Sequence, residues 1–357
     1  MTLRWGVLGL GTIARAVHLP LIARMPGHDL VAVADLDPGR CADLAGRYGA
    51  RACDPAALLA ADDVDAVLVA TPGRHAAHAV AALRNGKHVL AEKPLALSVE
   101  EASAAAAVAT ERGLLLQVGY MKVHDRATDA AVAALPGIGS PRLVQISVRH
   151  PVDAPQVEHL HLAPPQPLPA SAAGPVAADE AAEQRALDAS VGAGTSPELR
   201  RLFRSVLCGS VVHEFSLLRA LGFGLPVFDH ADLLAWDGTA PPTLFATGRL
   251  GSGARFVLDW AWTPDRPDYR ETVRMTGTAG EVELGVAPPY RLDASSTLTV
   301  VDPAGERRAV LPADGAFQRQ LESFAAAVGG AAPHPHSGVD GAVADLQSMR
   351  QLLGLLS

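Results

Sequence analysis

The chain has 357 residues, 49% of them hydrophobic but only 4% aromatic, and carries a formal net charge of -8. That length accommodates two domains with aliphatic, alanine-rich cores. The acidic balance excludes the basic face that nucleic acid requires, and no apolar run reaches the length of a membrane span. Leu3–Leu10 runs into a glycine turn rather than a cleavage site, so a soluble cytoplasmic protein is expected. Cys41, Cys53 and Cys208 form no CxxC pair and suggest neither a disulfide framework nor a zinc site.

In chain order, Arg4–Leu8 reads as a strand, Ile13–Met25 as a helix, Asp29–Asp35 as a strand and Pro38–Tyr48 as a helix. Asp65–Ala70 is a strand, His75–Asn85 a helix, His88–Glu92 a strand, Val99–Arg112 a helix and Leu114–Tyr120 a strand. This alternation implies βαβ units and a parallel sheet, and the apolar strand runs suit strands covered on both faces. After Tyr120 the pattern changes. Ala127–Leu135 reads as a helix and Arg142–Arg149 as a strand. Pro151–Pro197 reads as a long loop holding one surface helix near Ala177–Ser190. Ser196-Pro197-Glu198 opens a helix that runs to Leu221. Strand-like runs follow at Asp229–Asp237, Thr243–Leu250, Ala254–Thr263, Glu271–Gly277, Glu281–Leu284 and Thr297–Asp302, then closing helices at Asp314–Val328 and Val339–Leu356. The expected organisation is an α/β Rossmann domain over residues 1–122, then an α+β domain over 123–357. The second domain has an open, mostly antiparallel sheet and an atypical loop-rich insertion near 151–197.

Gly9-Leu10-Gly11-Thr12-Ile13-Ala14 follows the first strand and opens the first helix. Gly9 permits the tight turn, Gly11 lets the backbone approach a pyrophosphate, and Ala14 allows close helix–strand packing. The pyrophosphate would sit on the helix N-terminus. Asp35 ends the second strand, where a carboxylate hydrogen-bonds ribose hydroxyls and repels a 2′-phosphate, so NAD is favoured over NADP. Arg40 lies close enough in sequence to accommodate a phosphate. An ordinary βα turn is the alternative reading of the glycines, and a helix cap that of Asp35.

Three further segments complete a pattern: Ala70-Thr71-Pro72 with His75, then Gly86-Lys87-His88-Val89-Leu90-Ala91-Glu92-Lys93-Pro94, then Val118-Gly119-Tyr120-Met121. Together with the glycine turn they resemble the glucose–fructose oxidoreductase/inositol dehydrogenase (Gfo/Idh/MocA) family. The likeness is strong over Leu3–Lys122 and nearly vanishes over Pro151–Pro197. The resemblance implies hydride transfer between a nicotinamide cofactor and a sugar, cyclitol or related small polar substrate, and a homo-oligomer (dimer or tetramer) joined through the second sheet. It places Lys93 at the reacting hydroxyl or carbonyl, Thr71, Pro72, His75 and Glu92 on the ribose and nicotinamide side, and Tyr120 and Met121 near the nicotinamide ring. It also implies a histidine acid/base or substrate ligand on the helix before Gly222, which maps to His213.

Lysine and histidine can each move the alcohol proton in such a transfer. The plainer alternatives are a solvent-facing Lys93 and a core His213. The chain departs from the family where an aspartate is usual one helical turn before the histidine, because Gly209 stands there. Val211 replaces a usual glycine and Ser216 a usual acid. His213 thereby loses the carboxylate expected to orient it. Glu214 is adjacent but points about 100° round an ideal helix. Lys122, His124, Arg149, His159 and His161 are further substrate candidates. Glu158, His159 and His161 alternate in a loop without a clear further ligand, so no metal is expected. Trp260 and Trp262 share one face of a strand. Three functions compete: a simple NAD(P)-dependent dehydrogenase or reductase; an enzyme with tightly bound NAD that uses transient redox for epimerisation, elimination or glycoside cleavage; and a non-catalytic NAD-binding protein.

Overall fold

The computed structural model describes residues 2–164, 166–234, 240–266, 268–313 and 315–356. The chain divides into two units. The first comprises Met1–Tyr120, Leu160–Gly194 and Gln320–Leu346, the second Met121–His159, Thr195–Arg319 and Gln347–Ser357. This differs from a single cut after residue 122, because most of the atypical insertion and part of the closing helices belong with the first unit.

The first unit is built on β1 (Leu3–Leu8), β2 (His28–Ala34), β3 (Arg51–Cys53), β4 (Ala66–Val69), β5 (His88–Ala91) and β6 (Leu116–Val118). Among the described residues they form a parallel sheet in the order β3-β2-β1-β4-β5-β6. The order reverses between β1 and β4, and the crevice at that switch point is where such sheets bind dinucleotides. The connecting helices are α1 (Leu19–Arg24), α2 (Pro38–Tyr48), α3 (Pro55–Ala60), α4 (Ala76–Arg84) and α5 (Val99–Arg112). A π-helical turn, Ala14–His18, precedes α1. β3 and α3 have no counterpart in the sequence reading: β3 is short and largely exposed, although Asp54-Pro55 is a helix start whose Asp54 side chain accepts from Ala57 N–H.

The second unit begins with α6 (Arg126–Ala134), β7 (Pro141–His150) and the short α7 (Asp153–Val157). The insertion then returns to the first unit as α8, which spans Ala173–Val191 and is longer than the helix expected there. α9 (Pro197–Arg201) and α10 (Val212–Ala220) flank a π-helical stretch over Leu202–Val211. Next come β8 (Val227–Leu234), β9 (Thr243–Arg249), β10 (Arg255–Trp262), β11 (Arg270–Gly277), β12 (Glu281–Val286), β13 (Thr297–Asp302) and β14 (Gly305–Val310). With β7 they form a sheet ordered β14-β13-β12-β11-β7-β10-β9-β8. It is antiparallel except for the β7–β10 pair. The alternation is clean: Val144, Ile146 and Val148 of β7 and Phe256, Leu258 and Trp260 of β10 are buried, their neighbours half-buried. β14 is exposed at every position, so the sequence carries no periodic signal for it. α11 (Ala316–Val328) and α12 (Val339–Gly354) close the chain. The expected start of α11 at Asp314 and the expected end of β8 over 235–237 lie outside the described residues.

Trp5 fixes the base of the first sheet. Its side chain is fully buried, stacks parallel on His28 across the β1–β2 pair and packs 5.1 Å from Phe324 of α11. Its Nε1–H donates to His28 Nδ1 at 2.9 Å. Trp5→Phe keeps most of the apolar contact but leaves the imidazole nitrogen without its donor. Urea denaturation is expected to show a loss of about 1–3 kcal/mol, and an unchanged midpoint would mean that the bond contributes nothing.

Candidate functional site

The loops after β1 and β4 meet backbone to backbone. Gly9 has φ 92°, and a Cβ there would stand 2.5 Å from Thr71 N, so only glycine fits. Gly11, Thr12 and Ile13 follow, and the N–H groups of a first helical turn have no acceptor within the helix. Asp35 directly follows β2: one oxygen accepts from Leu10 N–H at 2.7 Å and the other from Asp37 N–H at 3.0 Å. Each carboxylate oxygen retains a lone pair for a ribose hydroxyl. Arg40 lies 3.7 Å from Asp35 and 3.3 Å from Asp37, paired with carboxylates. Thr71 Oγ1 is buried without a hydrogen-bond partner among the described residues. An orphaned hydroxyl beside a glycine cradle and an open helix N-terminus fits a dinucleotide.

The Glu-Lys-Pro loop follows β5. Glu92 is buried and hydrogen-bonds His18 Nε2 at 2.7 Å. His18 is fully buried and stands at the end of the π-helical turn that opens the first helix. Burial pushes the Glu92 carboxyl up, but the His18 hydrogen bond and the charges of His18, Lys93 and His75 outweigh it, so the net shift is down. In the loop after β6, a Cβ at Gly119 would be a tight fit, 3.1 Å from Glu92 Cα and 3.2 Å from its carboxylate. His75 is buried, with Nδ1 2.7 Å from the Pro94 carbonyl and Nε2 2.8 Å from the Thr71 carbonyl. Burial lowers its pKa. The His75 ring thus stands between the carbonyls of the Thr71 loop and the Lys93–Pro94 loop, and its neutral form donates to one of them at a time. Lys93 is half-buried between Glu92 and a cis-linked Pro94, while Pro72 is exposed and Ala70 and Tyr120 are buried.

In the second unit, Met121–His124 forms one short 3-10 turn in which every residue is buried. Lys122 does not face a substrate as expected. Its Nζ is held 2.8 Å from Glu214 and 2.5 Å from Glu271, and Tyr269 donates to Glu271 at 2.5 Å. Two carboxylates thus share one buried cation. Burial pushes the Glu214 carboxyl up to about 7; Lys122 opposes this and Glu271 reinforces it. His213 is half-buried on the line with buried Val206, Ser210 and Leu217. A Cβ at Gly209 would meet only Arg204 O at 3.7 Å, so crowding does not explain the missing carboxylate. Arg149 is a second correction: it forms a two-pronged ion pair with Asp259 on the outward sheet face. The inward residue is His150, whose ring lies 5.6–5.8 Å from Trp260, Trp262 and Tyr269. His124 is buried and His159 exposed. His161 belongs to the first unit and lines a cavity there with Arg15 and Arg40. No group of three metal-ligating side chains occurs among the described residues, nor any helix long and apolar enough to cross a membrane.

Glu271, Glu214 and Tyr269 went unnoticed in the sequence as a cluster. The available signal was Glu271, a carboxylate on the core side of the alternation Glu271–Val273–Met275. Because the folded pKa of Glu214 lies above its ordinary 4.5, the folded chain holds a proton that the unfolded chain releases between about 4.5 and 7. Its stabilising contribution is complete below that window and is lost as pH rises through it. Glu214→Gln, which stays neutral, is expected to flatten the fall in stability across this range by on the order of 1–3 kcal/mol in urea titrations. A variant with the wild-type slope would refute the assignment.

Residues 3–120 match the model of an oxidoreductase family described by its NAD-binding Rossmann fold. Inositol 2-dehydrogenase 3 of Saccharopolyspora erythraea is 39% identical over 170 residues, 46% of this chain and 49% of that protein. The dTDP-3,4-didehydro-2,6-dideoxy-alpha-D-glucose 3-reductase of Actinomadura kijaniata is 42% identical over 124 residues, 34% of this chain and 37% of that one. The chain spans about half or less of the length of the curated relatives it matches. Fold similarity runs further. The UDP-N-acetylglucosamine 3-dehydrogenase of Acidithiobacillus ferrooxidans superposes with a TM-score of 0.72 at 23% identity, covering 100% of both chains. A 3-ketoreductase of Actinomadura kijaniata, solved with NADP and TDP-benzene, gives a TM-score of 0.70 at 25% identity over 97% of this chain and 95% of that one. Over its residues 3–120 the chain is thus similar to the Gfo/Idh/MocA family of oxidoreductases with an NAD-binding Rossmann fold.

Proposed function

We propose that the chain is an NAD-dependent dehydrogenase or reductase that moves hydride to or from a sugar, cyclitol or related small polar substrate. The observation that carries this reading is the clamped Glu92-Lys93-Pro94 loop, tied through His75 to the Thr71 loop at the dinucleotide crevice. Bound NAD would accept or supply the hydride. The chain's own residues bind and move the proton. Gly9, Gly11 and the first helical turn would hold the pyrophosphate, and Asp35 the ribose. Asp35 and Asp37 pair with Arg40, so its charge is already balanced, which supports NAD over NADP. Lys93 as ammonium donates a hydrogen bond, then a proton, to a carbonyl oxygen; as amine it takes the proton of an alcohol. His213 is proposed independently as a second acid/base group. The named relatives act on inositols and nucleotide-linked sugars, which supports the polyol class.

The absence of a carboxylate at Gly209 favours one second reading, in which NAD stays bound and redox is transient. Release of NADH in step with substrate consumption would exclude it. For the main reading, Lys93→Met is expected to lower kcat by about 10²–10⁴-fold while leaving the NAD dissociation constant unchanged in calorimetric titration, with NADP binding more weakly than NAD. Undiminished turnover in that variant would remove Lys93 from the mechanism.

We further read the protein as a cytoplasmic homo-oligomer, dimer or tetramer, joined through the outward face of the eight-stranded sheet. Half-buried Leu143, Phe245 and Val257 lie on that face. Sedimentation velocity should show a dimer or tetramer that Phe245→Asp weakens; a wild-type monomer would contradict this.

A further inference from the structure

The atypical insertion has no role in the reading above, yet residues 160–194 fold onto the dinucleotide unit. Two anchors hold the insertion there. At one end, the Arg15 guanidinium donates to the Ala163 carbonyl at 2.7 Å. At the other, Asp179 of α8 reaches Arg74 at 3.3 Å, and Arg74 is itself buried against Glu101 at 2.5 Å. Glu183 of the same helix comes so close to Gly73 that a Cβ there would meet its carboxylate at 2.8 Å. Arg15 stands on the helix that follows β1, and Gly73 and Arg74 on the loop that follows β4. These two elements border the switch-point crevice, so the insertion is attached on both sides of it.

Between the first anchor and α2 lies a cavity of about 280 Å³. Arg15, Asp37, Arg40 and Tyr48 line its inner side, and His161, Ala163 and Gln166 its outer side. His161 has φ 47°, an uncommon conformation outside glycine that turns the chain at the cavity. The cavity borders the residues just past Asp35, at the end of β2, where the adenosine half of a dinucleotide belongs. Guanidinium groups on its wall offer planar faces on which an adenine ring stacks.

We infer that the insertion is a strap across the dinucleotide crevice, and that its residues 161–164 and Gln166 form the outer wall of the pocket for the adenosine half of the cofactor. The insertion thus belongs to cofactor retention and not to substrate choice. The adenine ring enters between the α2 start and the strap, and the dinucleotide leaves only when the strap lifts.

This rests on the dinucleotide reading, and hydrogen exchange on the intact chain separates the two. ADP-ribose should slow exchange at the amides of 161–163 by about tenfold or more, together with those of Gly11–Ile13, whereas nicotinamide mononucleotide should leave 161–163 unchanged. ADP-ribose protecting Gly11–Ile13 without touching 161–163 would overturn the strap while sparing the dinucleotide site. No binding of ADP-ribose or NAD would overturn both. In a second measurement, Asp179→Asn, distant from the cavity lining, should speed NADH dissociation several-fold. An unchanged off-rate would show that the α8 anchor does not hold the strap closed.

Discussion

The approach of two backbones at the switch point governs the first unit. At Gly9 a single added carbon would collide with Thr71 N, so β1 and β4 can end side by side only with that glycine. The same approach sets the Thr71 loop, whose buried hydroxyl has no hydrogen-bond partner among the described residues, against the glycine turn. Its consequences continue along the sheet. His75 carries the position of the Thr71 loop to Pro94, and Glu92 carries it to His18 and Gly119. Buried charge in this network is held by named partners, as burial requires. Lys93 is the one titratable side chain in its tripeptide that is not buried.

The second unit solves a different electrostatic problem. Lys122, Glu214 and Glu271 are all buried, so one cation must serve two carboxylates. Removing either kind of charge leaves the other uncompensated, which costs far more than the cluster gains over an apolar replacement. The proton that Glu214 retains relieves the imbalance. The cluster also fixes the turn after Tyr120, because the Thr128 hydroxyl donates to the Lys122 carbonyl while the ammonium is held from the other side.

Five strands of the first sheet were legible in the sequence because they are largely apolar and buried, whereas the short, exposed β3 was not. Asp35, Lys93 and the glycine turn fall where motif spacing put them. Contacts far apart in sequence were not legible. Nothing near Lys122 announces Glu271, 149 residues away, and only the core-facing position of that glutamate hints at it. Arg149 and His150 could not be ranked until strand register showed which faced inward. The insertion misled because its composition is that of a surface loop: α8 buries only Ala186, Leu187 and Ser190. Its attachment depends on two arginines elsewhere in the chain, which no local pattern reveals.

The central claim is that the β1–β4 crevice holds a nicotinamide dinucleotide. The measurement that tests it most directly is a crystal structure of the chain grown with NAD. The predicted result is pyrophosphate on the amides of Thr12 and Ile13, ribose hydroxyls on Asp35, and the nicotinamide beside Lys93. A dinucleotide bound elsewhere, or a crevice that stays empty at saturating NAD, would contradict it.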